Sequence, residues 1–343
     1  MMKFDWGPSL FRRLNGVFCI YKPTGPPVHK VLEIIRGNLT RDINALPCYK
    51  YERRMQRAEA NTEEKLPSLS SLPVDAENQA QHRLTLGPRY VPEDFILEPL
   101  HGLSRHAAGV LVIGLGRGCE YLEHIALARY LRVYHVRGRF GWATENYSPK
   151  GKVLERTSFH NITKPKLDKV CAAAQANHTK YMFDYAGVRP DSQEAYMLAA
   201  SGLVRPENGK TPPILYGVKC IEFNPPDFTL EIHAINEKCT YLMNLIGDIG
   251  LSLKSTAVCT HIRRVRYGHF ELQHALLRKQ WTAEHILDNL RSCRSLLSVD
   301  KLATSETVHH LDQDGRRHRQ LGSGREGLPR DTLKGGNRKM LSS

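Results

Sequence analysis

Runs of apolar residues along the chain change their spacing from segment to segment, and the spacing predicts the elements. Leu14 to Tyr21 (LNGVFCIY) is a β-rich run that stops at Lys22-Pro23-Thr24-Gly25-Pro26-Pro27, where the prolines and glycine fix a turn. Val28 to Leu39 then carries Val31, Ile34, Ile35 and Leu39 at near-helical spacing, with charged residues between them, so a helix follows. From about 40 to 81 the chain gathers Arg, Glu, Asn and Ser around few large apolar residues, which predicts a flexible insertion. Ala107 to Leu115 is an unbroken stretch of small and branched apolar residues and predicts a buried strand. Cys119 to Leu131 predicts an amphipathic helix, and Arg132 to Phe140 a further strand that ends at Gly141-Trp142.

The second half continues in the same mixed way. Asn161 to Ala174 predicts a helix with Thr163 as N-cap and Pro165 in the first turn. Pro213 to Phe223 and Phe228 to Ala234 read as two strands joined through Asn224-Pro225-Pro226-Asp227, a hairpin. Leu242 to Leu253 and Trp281 to Leu297 predict helices, the latter starting at a Thr282 cap. Strands and helices mixed without regular alternation predict an α+β or mixed α/β domain, taken here as mixed α/β with an antiparallel-rich sheet. The main domain is expected over 14–300. A short N-terminal segment (1–13) precedes it, and a Gly-, Arg-, His- and Ser-rich tail (301–343), expected to be disordered and basic, follows it.

Charge narrows the partner class. The 49 Lys and Arg outnumber 35 Asp and Glu, for a net charge of +14, so the surface favours polyanions and nucleic acid leads. A basic tail on a neutral domain would give the same total. Eight cysteines without a C-x-x-C pair predict reduced intracellular thiols, neither a zinc knuckle nor a redox dithiol. The longest apolar run is about half the ~20 residues that span a bilayer, so membrane insertion is not expected. Met1 to Arg13 is too short and mixed in charge to read as a transit peptide. VLVIGLGRGCEYLEH offers Gly114 and Gly116 to a dinucleotide turn, yet Cys119 stands where its third glycine belongs, so no nicotinamide or flavin is expected.

Five local signals occur in one order. They are Lys22-Pro23-x-Gly25, then HGLSRHAAGVLVIG with Leu103, Ala107, Gly109, Val110 and Leu111, then Val133-Tyr134-x-Val136-x-Gly138. The last two are Tyr185 with the Q-E-A-Y run ending in Tyr196, and Ile262-Arg263-Arg264 with Gly268 and Phe270. Together, over roughly Leu14 to Leu290, they resemble the TruB-type pseudouridine synthases, and within them the mitochondrial animal branch. The resemblance implies a pseudouridine synthase-like domain, here without an evident PUA domain, that binds RNA (tRNA, mitochondrial mRNA or rRNA). It also implies a mitochondrial location, the other possibilities being cytoplasm or nucleus. The family reaction detaches uracil from ribose C1′, rotates it and rejoins it through C5, without metal or cofactor. The target base is swung out of the RNA stack into a pocket. The resemblance makes Tyr134 the aromatic platform beneath that base, worth ~1–3 kcal/mol by stacking. Tyr185 is a weaker substrate-binding candidate. Lys22 is expected to meet a phosphate or hold the active-site loop, and Arg263 and Arg264 to meet the RNA backbone.

Two departures bear on activity. The family's catalytic aspartate aligns with Ser104, whose neutral hydroxyl cannot supply an ionised oxygen. The arginine that pairs with that aspartate aligns with Met243. Losing only one partner would leave a buried charge uncompensated at a typical cost of ~3–5 kcal/mol, whereas losing both removes the penalty. A Ser104 pair with His101 or His106 lacks an acidic orienter, so hydrolase chemistry is not expected. The functional expectation is an RNA-binding family member with reduced or lost catalysis. Its alternatives are an active synthase using another carboxylate, such as Asp184, and an interaction protein unrelated to RNA.

Overall fold

A computed structural model describes residues 5–50, 52–53, 83–200 and 212–297. An eight-stranded, mostly antiparallel sheet forms the frame. Its path runs β1 (Gly16–Lys22), β3 (Ala107–Leu115), β9 (Ala257–Tyr267), β4 (Arg132–Phe140), β8 (Asp227–Ile235) and β7 (Ile214–Asn224). β2 (Leu97–Leu100) pairs with β3, and β10 (Phe270–Glu271) with β9. β5 (Trp142–Thr144) and β6 (Val153–Arg156) make a small separate ribbon. One contact in the main sheet is parallel, β3 with β9, where Ala107, Ala108 and Gly109 lie beside Ile262, Arg263 and Arg264.

Residue alternation explains the layers. Along β1 and β3, Phe18, Ile20, Leu111 and Ile113 enter one core cluster while Val17, Cys19, Val110 and Val112 enter another. Successive side chains point to opposite faces, so these strands are buried on both sides and read as continuous apolar runs. Helices α1 (Gly7–Arg13), α2 (Val28–Asn44) and α7 (Ala283–Arg294) cover the first face, and α3 (Gly118–Leu127) the second. β8 is different: Phe228, Leu230, Ile232 and Ala234 are buried, whereas the residues between them are partly open. Its buried side joins α4 (Lys164–Tyr185) and α6 (Cys239–Ser252) in a third core cluster. Fully burying one such Leu or Ile contributes about 1.5–3 kcal/mol.

Several boundaries differ from those the sequence suggests. The helix expected to stop at Leu39 runs on to Asn44, because Ile43 is fully buried and Asn44 exchanges hydrogen bonds with Tyr90 N–H and C=O at 3.1 and 2.8 Å. The start of the expected 40–81 insertion is therefore part of the core, and its remainder mostly lies outside the described residues. The segment before residue 14 is not separate either, since α1 buries Leu10 against α2. α4 continues to Tyr185, eleven residues past Ala174, and a further helix, α5 (Gln193–Ala200), carries the Q-E-A-Y run with Tyr196 exposed. The 301–343 tail lies outside the described residues.

Gly109 fixes how closely β3 and β9 approach. Its φ is +116°, and a Cβ there would stand 2.1 Å from the Arg264 carbonyl oxygen. Positive φ and backbone overlap are separate penalties, each typically ~1–3 kcal/mol. Gly109→Ala should thus lower the unfolding free energy by ~2–6 kcal/mol in urea titration. A loss below about 1 kcal/mol would show that the strands can separate cheaply.

Candidate functional site

The strand contact at Gly109 helps bring four chain segments together around a cavity of about 410 Å³. The loop after β2 supplies His101, Gly102, Leu103 and Ser104. β4 and β9 supply Arg132, Tyr134 and Arg264, and the entry to α6 supplies Glu237, Lys238, Cys239 and Thr240. A wider depression of about 550 Å³ lies beside α1 and contains none of the residues picked out from the sequence.

The loop carrying Ser104 is held from below. Lys22 ends β1 fully buried, and its Nζ donates to the carbonyls of Pro23, Ser104 and Ala107, each at 3.0 Å. An ammonium has three protons. All three are committed, so Lys22 takes the second of its two expected roles, holding the loop, and has no proton left to give a phosphate. Burial lowers its pKa to about 8. The loop's other end is tied through His101, whose carbonyl accepts from Arg264 NH1 at 3.0 Å and whose Nδ1 lies 2.9 Å from the Tyr267 hydroxyl. Partial burial, with the guanidiniums of Arg132 and Arg264 next in effect, lowers the His101 pKa to about 4, so its ring is neutral at pH 7.

Arg264 also departs from expectation. It is 1% exposed, donates from Nε to the Val110 carbonyl at 2.8 Å, and sits 5.3 Å from the Tyr267 ring centroid. A residue so enclosed is a cavity wall and strand clamp, not a surface phosphate contact. Arg263, its neighbour on β9, points to the other face and lies 5.5 Å from the Tyr21 ring. Met243 is buried within α6 in the same core cluster as Tyr134 and Leu103, one turn beyond the cavity-lining Cys239 and Thr240. Asp184 is exposed near the end of α4 and is not among the cavity-lining residues. Tyr185 is the last residue of α4, and its side chain lies outside the described set. His106 is exposed, and the Ser104 hydroxyl has no hydrogen-bond partner, so no Ser-His pair forms.

At the floor, Arg132 NH1 meets Glu237 Oε1 at 2.8 Å, with both side chains at least 95% buried. The Tyr134 hydroxyl donates to the same oxygen in a short hydrogen bond. Burial, followed by the negative charge of Glu237, raises the Tyr134 pKa well above its usual range, so the phenol keeps its proton. Four buried atoms on lining residues have no partner: Ser104 Oγ, Arg132 Nε, Glu237 Oε2 and Arg264 NH2. An unpaired buried polar group typically costs ~1–3 kcal/mol, and four of them sit on residues that line this one cavity.

Residues 100–242 match the model described as TruB family pseudouridylate synthase (N terminal domain). The chain is 37% identical over 296 residues to "Pseudouridylate synthase TRUB2, mitochondrial" of Xenopus tropicalis, covering 85% of this chain and 89% of the relative. The chain belongs to the TruB family. The human protein of the same name is 36% identical over 86% of this chain and 88% of its own length. "Pseudouridylate synthase TRUB1" of Mus musculus is 27% identical over 83% of this chain and 72% of its own length. Among solved structures, a chain from "Structure of H/ACA RNP bound to a substrate RNA containing 2'-deoxyuridine" aligns with a TM-score of 0.42 and 14% identity. That alignment covers 90% of this chain and 64% of the other, and it carries no inference about function.

Arg132 and Glu237, which pair at the floor of this cavity, escaped the sequence. Arg132 had a usable signal, a cation two residues before Tyr134 on a strand that alternates its faces. Glu237 had none. It sits in a polar loop, Asn236-Glu237-Lys238, indistinguishable in one sequence from a solvated turn. Removing the phenol by Tyr134→Phe takes one charge-assisted donor from Glu237 and should cost ~1.5–3 kcal/mol in thermal or urea unfolding. An unchanged transition would show that this hydrogen bond contributes nothing net.

Proposed function

We propose that this TruB-family chain binds a flipped uridine of tRNA or mitochondrial mRNA in the Ser104–Tyr134 cavity, with pseudouridine formation reduced or lost. The observation that carries this reading is the makeup of the cavity wall. Ser104 offers an unpartnered neutral hydroxyl. Glu237, the one carboxylate among the lining residues, already spends Oε1 on Arg132 and Tyr134. The reaction needs an ionised oxygen free to attack or deprotonate the ribose. Tyr134 is the base platform in this proposal. Arg263 is its candidate for the RNA backbone, and the net charge of +14 supplies long-range attraction. The relatives named mitochondrial support a mitochondrial setting.

The presence of Glu237 favours one other reading, an active synthase whose carboxylate is Glu237 and not Asp184. Both readings meet in one experiment. Wild type, Ser104→Asp and the double variant Ser104→Asp/Met243→Arg are incubated with uridine-containing RNA, and pseudouridine is counted after nuclease digestion. Wild type should bind but form little product. The single variant should gain little, since without an arginine at 243 nothing on α6 pairs with and orients the new carboxylate. The double variant should gain most. Substantial turnover by wild type would move the chemistry to Glu237, and failure of all three to bind RNA across a salt titration would favour an interaction protein unrelated to RNA.

A further inference from the structure

Glu237 holds a position that neither loop anchoring nor pocket walls require. Oε1 is fixed by two donors, Arg132 NH1 and the Tyr134 hydroxyl, which leaves Oε2 as a buried acceptor with no partner. The unpartnered nitrogens Arg132 Nε and Arg264 NH2 belong to the same cavity wall. Just behind the cavity surface, its lining residues therefore hold one unmet acceptor and two unmet donors. Uracil carries the complementary edge, with N3–H as donor between the O2 and O4 acceptors. Cytosine does not, because its N3 is an acceptor and its position 4 carries an amino donor.

We infer that Glu237 is the base-reading residue of this site, its Oε2 accepting the N3–H of uracil and repelling the N3 lone pair of cytosine. The inference rests on the proposed uridine pocket and adds what that pocket selects. The four atoms are closed off from solvent, so a base reaches them once rim side chains adjust, a common change on binding. A site that hydrogen-bonds its ligand also rejects analogues strongly, since the wrong base leaves buried groups unpaired.

The geometry makes one substitution unusually informative. In Glu237→Gln the amide oxygen is held in the Oε1 place by Arg132 and Tyr134, which turns the NH2 group towards the place of Oε2. Acceptor becomes donor with almost no change in shape. The full-length protein is titrated with three RNA hairpins that differ only at one loop position, holding uridine, cytidine or N3-methyluridine. Wild type should prefer uridine over each of the others by about tenfold or more. Glu237→Gln should lose that preference or shift it to cytidine while keeping its affinity for the cytidine hairpin.

The methylated hairpin tests the wild-type protein without any variant. Tight binding of N3-methyluridine overturns the inference even if Glu237→Gln fails to fold. So does an unchanged uridine preference in Glu237→Gln. Equal binding of all three hairpins by wild type overturns the base-reading role alone, whereas absence of binding to any of them overturns the uridine pocket itself.

Discussion

Three backbone carbonyls, from the turn after β1, the Ser104 loop and the start of β3, converge on the ammonium of Lys22, and the placement of the cavity depends on that buried charge. Taking an ammonium out of water is costly unless each proton finds an acceptor. Here each does, at Pro23, Ser104 and Ala107. The Ser104 carbonyl accepts the Ala107 N–H as well, at 3.2 Å, so the loop is closed on itself where the ammonium meets it. The ammonium thus welds the end of β1 to the segment that leads into β3, and Ser104 has little freedom to leave the cavity wall.

Around that anchor the cavity is organised by charge more than by shape. The guanidiniums of Arg132 and Arg264 lie 5.4 and 5.3 Å from the centroid of the Tyr267 ring, and Glu237 answers the first of them directly. Ser104 and Met243 fit this wall because neither brings in another charge. An arginine at 243 alone would enlarge an already cationic region, and an aspartate at 104 alone would lack the partner on α6 that an arginine at 243 supplies. The neutral pair is compatible with a fully packed α6, where Met243 joins an apolar cluster that includes Leu242 and Ile246.

Much of the frame was legible because burial on one or two faces leaves a direct trace in residue alternation. The strands at Gly16–Lys22, Ala107–Leu115 and Arg132–Phe140 fall where the apolar runs place them. The errors came where a helix is held by few apolar residues, as at Thr40–Asn44, whose only large apolar residue is Ile43. The cavity was half legible. Ser104 and Tyr134 lie on it as the motifs suggest, but a motif shows that Lys22 and Arg264 matter without showing that they face inward. Glu237 was invisible because its role depends on Arg132, 105 positions earlier in the chain.

The parallel contact between β3 and β9 has a consequence for how this site comes into being. Arg264 closes onto Val110 across 154 residues of chain. Entropy must be lost over that whole span before the contact returns any energy, and nonlocal pairings of this kind are slow to form. The antiparallel hairpin of β7 and β8 needs no such search. During synthesis the wall at Ser104 and Tyr134 emerges long before Arg264 does, so a chain that stops short of β9 lacks both the strand that separates β3 from β4 and the last part of the cavity wall.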